Sequence, residues 1–299
     1  MSKKTSFTTK LDLTLKEKLL SDLQEQGFAI SKPPYTFFSA KKSGIVCTFY
    51  ESGSLVVQGG KIQEFIEFYL EPEILKEFTF THPEINIDMT PKIGVDEAGK
   101  GDFFGPLCIA SVYADAKGIK DLLKIGVADS KKIADPKIVK LAIQIKKTVP
   151  FSVVVLYPET YNDLYHKFKN LNSLLAWGHA TAIGNLSLET GCTKALSDKF
   201  ASSHVLESAL KRKNLKIDLE QKTKAESDPI VAAASILARN CFLEGMEKLE
   251  KEFQITLPKG ASKEVIKAGR KIILKLGKEI LNKISKTHFK TYHEVCSQE

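Results

Sequence analysis

The sequence predicts an α/β protein with two parts, a small N-terminal α+β domain and a larger domain built on a mixed sheet. Short apolar runs separated by turn residues fill the first 60 residues, and longer apolar runs alternate with helical periodicity from Lys92 onward. The length of 299 residues is typical of about two domains, and a hydrophobic content of 43 % is ordinary for a globular protein.

The N-terminal part begins with a helical pattern. Leucines at helical spacing predict a helix over residues 11–26, which Gly27 would end. Strands are expected over residues 35–41, 44–50 and 54–59, and a second helix over 61–69. A mixed, proline-containing stretch follows from Glu71 to Pro91. We therefore expect a domain of residues 1–75, a linker over 76–91 and a second domain over 92–299.

From Lys92 strands and helices alternate. Apolar runs at residues 92–95 and 106–113 predict two strands, which the short glycine turn between them makes antiparallel. Helices should begin at Asp135-Pro136 and Asp228-Pro229, because Asp caps a helix and Pro suits its first turn. The other predicted elements are a buried strand over 151–156, helices over 160–169 and 172–189, a strand over 193–197 and basic helices within 263–281. This order predicts a mixed sheet with helices packed on it.

Composition narrows the class of function. No apolar run approaches the ~20 residues that span a bilayer, and the first residues lack the apolar core of a signal peptide. Five cysteines without a CxxC pair argue against a zinc or disulfide framework and favour a reducing cytoplasm. Residues 1–90 carry a net charge of −2, whereas residues 259–290 carry +8. This basic stretch is either a surface for a nucleic-acid backbone or a solvated lysine-rich helix face.

The most informative stretch is residues 93–106, IGVDEAGKGDFFGP. Asp96 and Glu97 stand side by side at the end of a predicted strand, and the turn Gly99-Lys100-Gly101 follows. Glycines permit a close backbone approach to a ligand, and turn amides can bind a phosphate. A carboxylate pair beside such a turn suggests a divalent metal ion held against phosphate. The alternative is a plain polar turn between two strands.

Two further acids can reach the same place. Asp198 ends a predicted strand, and ligand sites in open α/β sheets gather at the carboxyl ends of strands. Glu226 precedes a helix whose residues 231–236, VAAASI, are mostly small, so this helix can pack close to the sheet and bring Glu226 to the strand ends. Taken singly, each would be an ordinary surface acid.

The motifs together resemble the type 2 ribonucleases H. They are DEAGKG at 96–101, DSKK at 129–132, and Glu226 ahead of AAASILAR at 232–239. Within that group the chain is similar to the ribonuclease HIII family, because Lys100 stands where ribonuclease HII has arginine and Glu226 where it has aspartate. The N-terminal part resembles the small domain of that family, which has a fold like the TATA-binding protein.

The resemblance implies a ribonuclease H-like, mixed five-stranded sheet flanked by helices. It implies that Asp96, Glu97, Asp198 and Glu226 are both catalytic residues and ligands of two Mg²⁺ or Mn²⁺ ions. It also implies substrate contacts. The turn residues Gly99, Lys100 and Gly101 would meet the ribose 2′-hydroxyl, and Lys131 and Lys132 would support the site or the backbone.

Three features lie outside these motifs. Lys41 and Lys42 follow the aromatic residues Tyr35, Phe37 and Phe38, which form either a core or a surface for nucleic acid. His179 lies on a small, apolar helix and is expected to be a hydrogen-bonded core residue rather than a ligand, and Asp102 a turn residue.

The expected function is hydrolysis of the RNA strand of RNA·DNA hybrids to 5′-phosphate and 3′-hydroxyl products by a cytoplasmic monomer without a membrane partner. One alternative is incision at single embedded ribonucleotides, as in ribonuclease HII. Another is a hybrid-binding protein without catalysis, which the presence of all four acids disfavours.

Overall fold

The computed structural model describes residues 5–78, 87–127, 130, 133–199 and 201–297. The chain divides into two compact units, Met1–Asp88 and Met89–Glu299. Among the residues described, no helix combines the length and the apolar character that a membrane span requires.

The first unit is an antiparallel sheet with helices on one face. Its strands are β1 (Ser6–Lys10), β2 (Ala29–Ser31), β3 (Thr36–Lys42), β4 (Ile45–Tyr50) and β5 (Ser54–Gln58), in the order β1-β5-β4-β3-β2. Its helices are a 3₁₀ turn at Leu13–Leu15, α1 (Lys16–Glu25) and α2 (Ile62–Phe65), which continues as a π-helical segment at Ile66–Leu75. Alternate residues of β3 and β4, such as Phe38 and Phe49, are buried in a core with Leu19 and Leu70.

Two predictions for this unit were incomplete. The strands β1 and β2 were not predicted, because SFTTK is polar and AIS has only three residues. The second helix extends beyond residue 69 to Leu75, through Pro72. Burial of Ile66, Leu70 and Ile74 against the core accounts for this extension.

The second unit has the predicted mixed five-stranded sheet, in the order β10-β9-β6-β7-β8. Its strands are β6 (Lys92–Ala98), β7 (Leu107–Ala114), β8 (Phe151–Leu156), β9 (Lys194–Asp198) and β10 (Asp218–Lys222). β6 is antiparallel to β7, as the glycine turn predicted, and parallel to β9. The carboxyl ends of β6 and β9 therefore lie at the same edge, because Val95 pairs with Ser197.

Helices pack on both faces of this sheet. They are α3 (Ala116–Ile125), α4 (Asp135–Thr148), α5 (Pro158–Phe168), α6 (Leu171–Thr190), α7 (Ser203–Arg212), α8 (Pro229–Phe253), α9 (Lys263–Leu276), α10 (Leu281–Ile284) and α11 (Lys290–Cys296). Gly94 of β6 lies against α8, where a Cβ atom would stand 2.7 Å from the Val231 nitrogen. Ile93 and Val95 face the other way, into a core with α6. The expected close approach of α8 is confirmed.

Several details differ from the prediction. α3, α7 and β10 were not predicted, and β8 is a half-buried edge strand rather than a buried one. Asp135 is the first residue of α4 instead of its cap, which is Ala134. The cap at Asp228 was predicted correctly, since its side chain accepts a hydrogen bond from the Ile230 amide at 2.9 Å.

Candidate active site

Asp96 and Glu97 directly precede Ala98, the last residue of β6, and point to opposite faces of the sheet, because successive strand residues alternate. Asp96 faces α8, where Ser235 donates a hydrogen bond to its carboxylate. Burial raises the pKa of Asp96 to about 6, and the adjacent charge of Glu97 acts in the same direction. The Glu97 amide also donates to Asp96 Oδ1 at 2.8 Å, so hydrogen bonds offset part of the cost of ionising this buried carboxylate.

Glu97 faces α6 and is differently surrounded. The Nε2 atom of the buried His179 lies 3.0 Å from Glu97 Oε2, and Lys100 Nζ lies 3.4 Å from Oε1. An ionised carboxylate only accepts hydrogen bonds, so Nε2–H donates. Burial by itself would raise the pKa of Glu97, but the hydrogen bond and charge of His179, helped by Lys100, hold it below its usual value. The expectation of a hydrogen-bonded core histidine is confirmed.

Asp198 ends β9 at the same edge of the sheet. Its Oδ1 atom accepts a hydrogen bond of 3.2 Å from the amide of Ala225, the first residue of the 3₁₀ turn Ala225–Ser227. This contact ties the end of β9 to the segment that carries Glu226. Asp96, Glu97 and Asp198 line one cleft of about 670 Å³ together with Lys100 and Arg239.

Glu226 is half-buried and does not line this cleft. It lies one residue beyond the amide that binds Asp198, so the structure brings three of the four acids into the cleft and the fourth beside it. Within the described ranges, no three His, Cys, Asp or Glu side chains form a group that could hold a metal ion. The four-ligand set thus stays a prediction.

The donor chemistry nevertheless suits a hard divalent cation. The cleft offers carboxylate oxygens, which are the ligands that Mg²⁺ and Mn²⁺ prefer. A cation would also favour the ionised form of Asp96, which burial and Glu97 oppose. The residues present therefore fit such an ion.

The glycine turn beside the acids has two unlike glycines. Gly99 is buried with φ +85°, and a Cβ atom there would lie 2.2 Å from the Pro106 carbonyl oxygen. Gly101 is exposed, and a Cβ atom there would meet nothing within 4 Å. The fold itself requires glycine at position 99, whereas only a ligand could require it at position 101.

The loop after the turn is held by a residue that the sequence did not single out. Lys286 is buried, and its Nζ atom donates to the carbonyl oxygens of Asp102 at 2.8 Å and Gly105 at 2.7 Å. Asp102 is a turn residue as expected, because its amide donates to the Gly99 carbonyl at 3.4 Å. Its Oδ1 atom accepts from the Gly260 amide at 2.6 Å. A residue of the C-terminal segment thus holds the loop that directly follows the glycine turn.

Arg239 of α8 contacts Ser130, the one residue of the DSKK motif that the structure describes. Its guanidinium donates to the Ser130 carbonyl and, at 2.6 Å, to Asp135 Oδ1. The hydroxyls of Ser130 and Ser235 lie 2.7 Å apart. Lys131 and Lys132, which were predicted to support the site, lie outside the described residues.

The remaining predicted contacts, Lys41 and Lys42, end β3 in the first unit and are exposed. Lys42 Nζ donates to the Gln26 carbonyl and lies 5.7 Å from the centre of the Phe28 ring. Of the neighbouring aromatic residues, Phe38 is buried and Tyr35 is 82 % exposed. The core interpretation therefore holds for Phe38, and the exposed lysines stay a predicted contact.

Comparison with known proteins agrees with this geometry. The family described as Ribonuclease HII matches residues 93–292, which contain the sheet and the cleft. Residues 6–80 match a family described as Domain of unknown function (DUF3378). The larger unit is thus of the type 2 ribonuclease H class, whereas the expected likeness of the first unit to the TATA-binding protein stays a prediction.

Full-length relatives narrow the class. Ribonuclease HIII of Protochlamydia amoebophila is 55 % identical over 97 % of both chains, and that of Chlamydia felis is 52 % identical over 98 % of both. The structure is also similar to the crystal structure of Bst-RNase HIII in complex with Mn²⁺, with a TM-score of 0.69 and 29 % sequence identity. The match covers 97 % of this chain and 98 % of the Bst-RNase HIII chain. The chain belongs to the ribonuclease HIII family.

Proposed function

We propose that the protein is an endonuclease that hydrolyses the RNA strand of RNA·DNA hybrids and acts as a monomer. The observation that carries the proposal is the convergence of Asp96, Glu97 and Asp198 on one cleft, beside a glycine turn open at Gly101. A relative's structure described as a complex with Mn²⁺ supports dependence on a divalent ion.

Asp96, Glu97, Asp198 and Glu226 would hold two such ions, Mg²⁺ or Mn²⁺. When bound, a pair of divalent ions activates water and stabilises the departing 3′ oxygen in phosphodiester hydrolysis. Ser235 and His179 keep Asp96 and Glu97 in place from opposite faces of the sheet. The strand end is therefore organised before substrate arrives.

The turn would select RNA. The side chains of Gly99 and Gly101 carry no donor or acceptor, so at these two positions only backbone atoms can bind a 2′-hydroxyl. The open space at Gly101 lets the sugar approach. The side chain of Lys100, which is 38 % exposed, supplies a positive charge for the adjacent phosphate.

The first unit would contribute binding, as a domain of residues 1–75 joined by a linker over 76–91 to the catalytic domain of residues 92–299. The exposed Lys41 and Lys42 are candidate phosphate contacts on it. The basic helix α9, with Lys267, Lys271 and Lys275 exposed at four-residue spacing, offers another such surface in the catalytic part.

A cleavage assay on three duplexes tests the proposal: a full RNA·DNA hybrid, a DNA duplex with one embedded ribonucleotide, and plain DNA. Magnesium-dependent cleavage of the full hybrid alone is the expected result. Preferential incision at the single ribonucleotide would support the ribonuclease HII-like activity instead. Hybrid binding without cleavage in either Mg²⁺ or Mn²⁺ would reject the catalytic proposal.

A further inference from the structure

The side chain of His179 connects the two strands that end at the cleft. It is 0 % exposed and projects from α6. Its Nε2 atom lies 3.0 Å from Oε2 of Glu97 on β6, and its Nδ1 atom lies 3.4 Å from the hydroxyl of Ser197 on β9. Ser197 directly precedes Asp198, so a single ring contacts both strand ends that carry cleft acids.

The ring has little freedom to turn. α6 packs tightly on the sheet beside it, because a Cβ atom at Gly178 would lie 2.6 Å from the Ile109 side chain. Burying an imidazole is unfavourable unless its nitrogens find partners, and both of them have one here. The donor at Nε2 therefore stays directed at Glu97, which fixes one oxygen of that carboxylate.

Because one oxygen of the Glu97 carboxylate is fixed by His179, only the other oxygen remains available to a cation. Oε2 of Glu97 accepts from the buried ring, whereas Oε1 lies 3.4 Å from the partly exposed Lys100 at the cleft. A lysine on a flexible stem can move aside at far less cost than a buried ring. Oε1 is thus the oxygen that an incoming cation can reach.

We propose that His179 is a positioning residue, which holds Glu97 Oε2 so that Oε1 is presented to a divalent ion. The inference rests on the proposed function in one respect, since it takes Glu97 to be an ion ligand. Hydrogen-bond partners of metal-ligating carboxylates typically change metal affinity or activity by about 10–100-fold when they are removed.

The direct test is Mn²⁺ binding to the full-length protein without nucleic acid, measured by calorimetry and by the rise in unfolding temperature that Mn²⁺ produces. His179→Leu keeps an apolar volume but removes the donor, and we expect the Kd for Mn²⁺ to rise by about 10–100-fold. His179→Gln retains a side-chain N–H that can reach Glu97 and should recover part of the affinity. His204→Leu is the matched control, because His204 is an exposed histidine on α7, and it should bind Mn²⁺ like the wild type.

A His179→Leu protein that folds and binds Mn²⁺ with wild-type affinity would overturn the proposal. If that variant does not fold, the comparison passes to His179→Gln and His179→Asn, because the shorter Asn does not reach Glu97. Equal Mn²⁺ affinity in that pair would overturn the proposal, and weaker binding by the Asn variant would support it.

Hybrid cleavage by the wild type is assayed separately, so the two ideas can fail independently. A wild type that cleaves hybrid, with His179 variants of normal Mn²⁺ affinity, would refute only the positioning role. A wild type that binds Mn²⁺ through Glu97 but cleaves no hybrid would refute only the proposed function.

Discussion

Replacing Gly101 by Ala should lower the catalytic activity without lowering the stability of the fold. The added methyl group meets no protein atom within 4 Å, and the backbone at this position lies outside the left-handed range. The folded state therefore accepts the change, and loss of glycine from the unfolded chain should stabilise the protein by about 0.4–1 kcal/mol. The methyl group occupies space through which the proposed ribose contact must be made.

The effect on catalysis follows from displacement of the sugar. A misplacement of about 1 Å can lower a rate on the order of 10²-fold, which corresponds to about 2.7 kcal/mol in the activation barrier. Hybrid affinity should change less, because phosphate contacts along the duplex supply most of it. We therefore expect a lower kcat, a nearly unchanged Kd and an equal or higher unfolding temperature.

Gly99→Ala is the contrasting variant. Its Cβ atom would lie 2.2 Å from the Pro106 carbonyl oxygen and 2.8 Å from the Phe242 ring, at a φ of +85°. Both sources of strain destabilise the fold, by about 1–3 kcal/mol for the overpacking alone. This variant should lose activity and stability together, which Gly101→Ala should not.

The assay is single-turnover cleavage of an RNA·DNA hybrid beside the same duplex carrying 2′-deoxyribose at the scissile position, with thermal unfolding measured on each variant. Wild-type turnover by Gly101→Ala, with discrimination against the deoxy substrate preserved, would refute the turn as the reader of the 2′-hydroxyl. A loss of stability in Gly101→Ala would refute the claim that the fold leaves this position open.

Three further outcomes are expected. Asp198→Asn should lower hybrid turnover by about 10³-fold or more, because an anionic ligand is lost. The amide oxygen of Asn can still accept from the Ala225 amide, so the unfolding temperature should not change. Near-normal cleavage at saturating Mg²⁺ would remove Asp198 from the ligand set. A chain that starts at Thr90 should keep its kcat but show a raised KM in steady-state assays, and an unchanged KM would contradict the binding role of the first unit. Burial lowers the pKa of Lys286 to about 7 from the 10.5 of an exposed lysine, so between these values the unfolded chain binds the extra proton and the free energy of unfolding should rise with pH, by up to about 1.4 kcal/mol per pH unit. Denaturant unfolding of the wild type at pH 7 to 10 should show this slope, and Lys286→Met should reduce it. Equal slopes in the two proteins would contradict the lowered pKa of Lys286.

The sequence predicted most accurately those features of the fold and the site that depend on neighbouring residues. Asp96 and Glu97 follow a continuous apolar run and precede a glycine turn, so their place at a strand end could be predicted from adjacent residues. The Asp228-Pro229 helix start likewise depends on one side chain and its own backbone. Short or polar elements such as β1 and β10 lack enough apolar residues to be recognised by periodicity.

Long-range partners could not be predicted from one sequence. Glu97 and His179 are 82 residues apart, and nothing in the spacing of either residue indicates the other. Lys286 counts toward the basic C-terminal charge, yet it is buried, and its carbonyl partners lie more than 180 residues earlier. The position of Glu226 outside the cleft depends on the conformation of a single 3₁₀ turn, which composition does not determine.

The support of the glycine turn by Lys286 has a consequence for biosynthesis. The Asp102 and Gly105 carbonyls are made early in translation, whereas the amino group that binds them belongs to Lys286, more than 180 residues later. Contacts of such sequence separation form late, because they require closure of a long loop. A ribosome-bound chain would already carry Asp96 and Glu97 but not the segment that holds the adjacent loop. We therefore expect the loop of residues 102–105 to reach its final conformation only after the chain has been extended to Lys286.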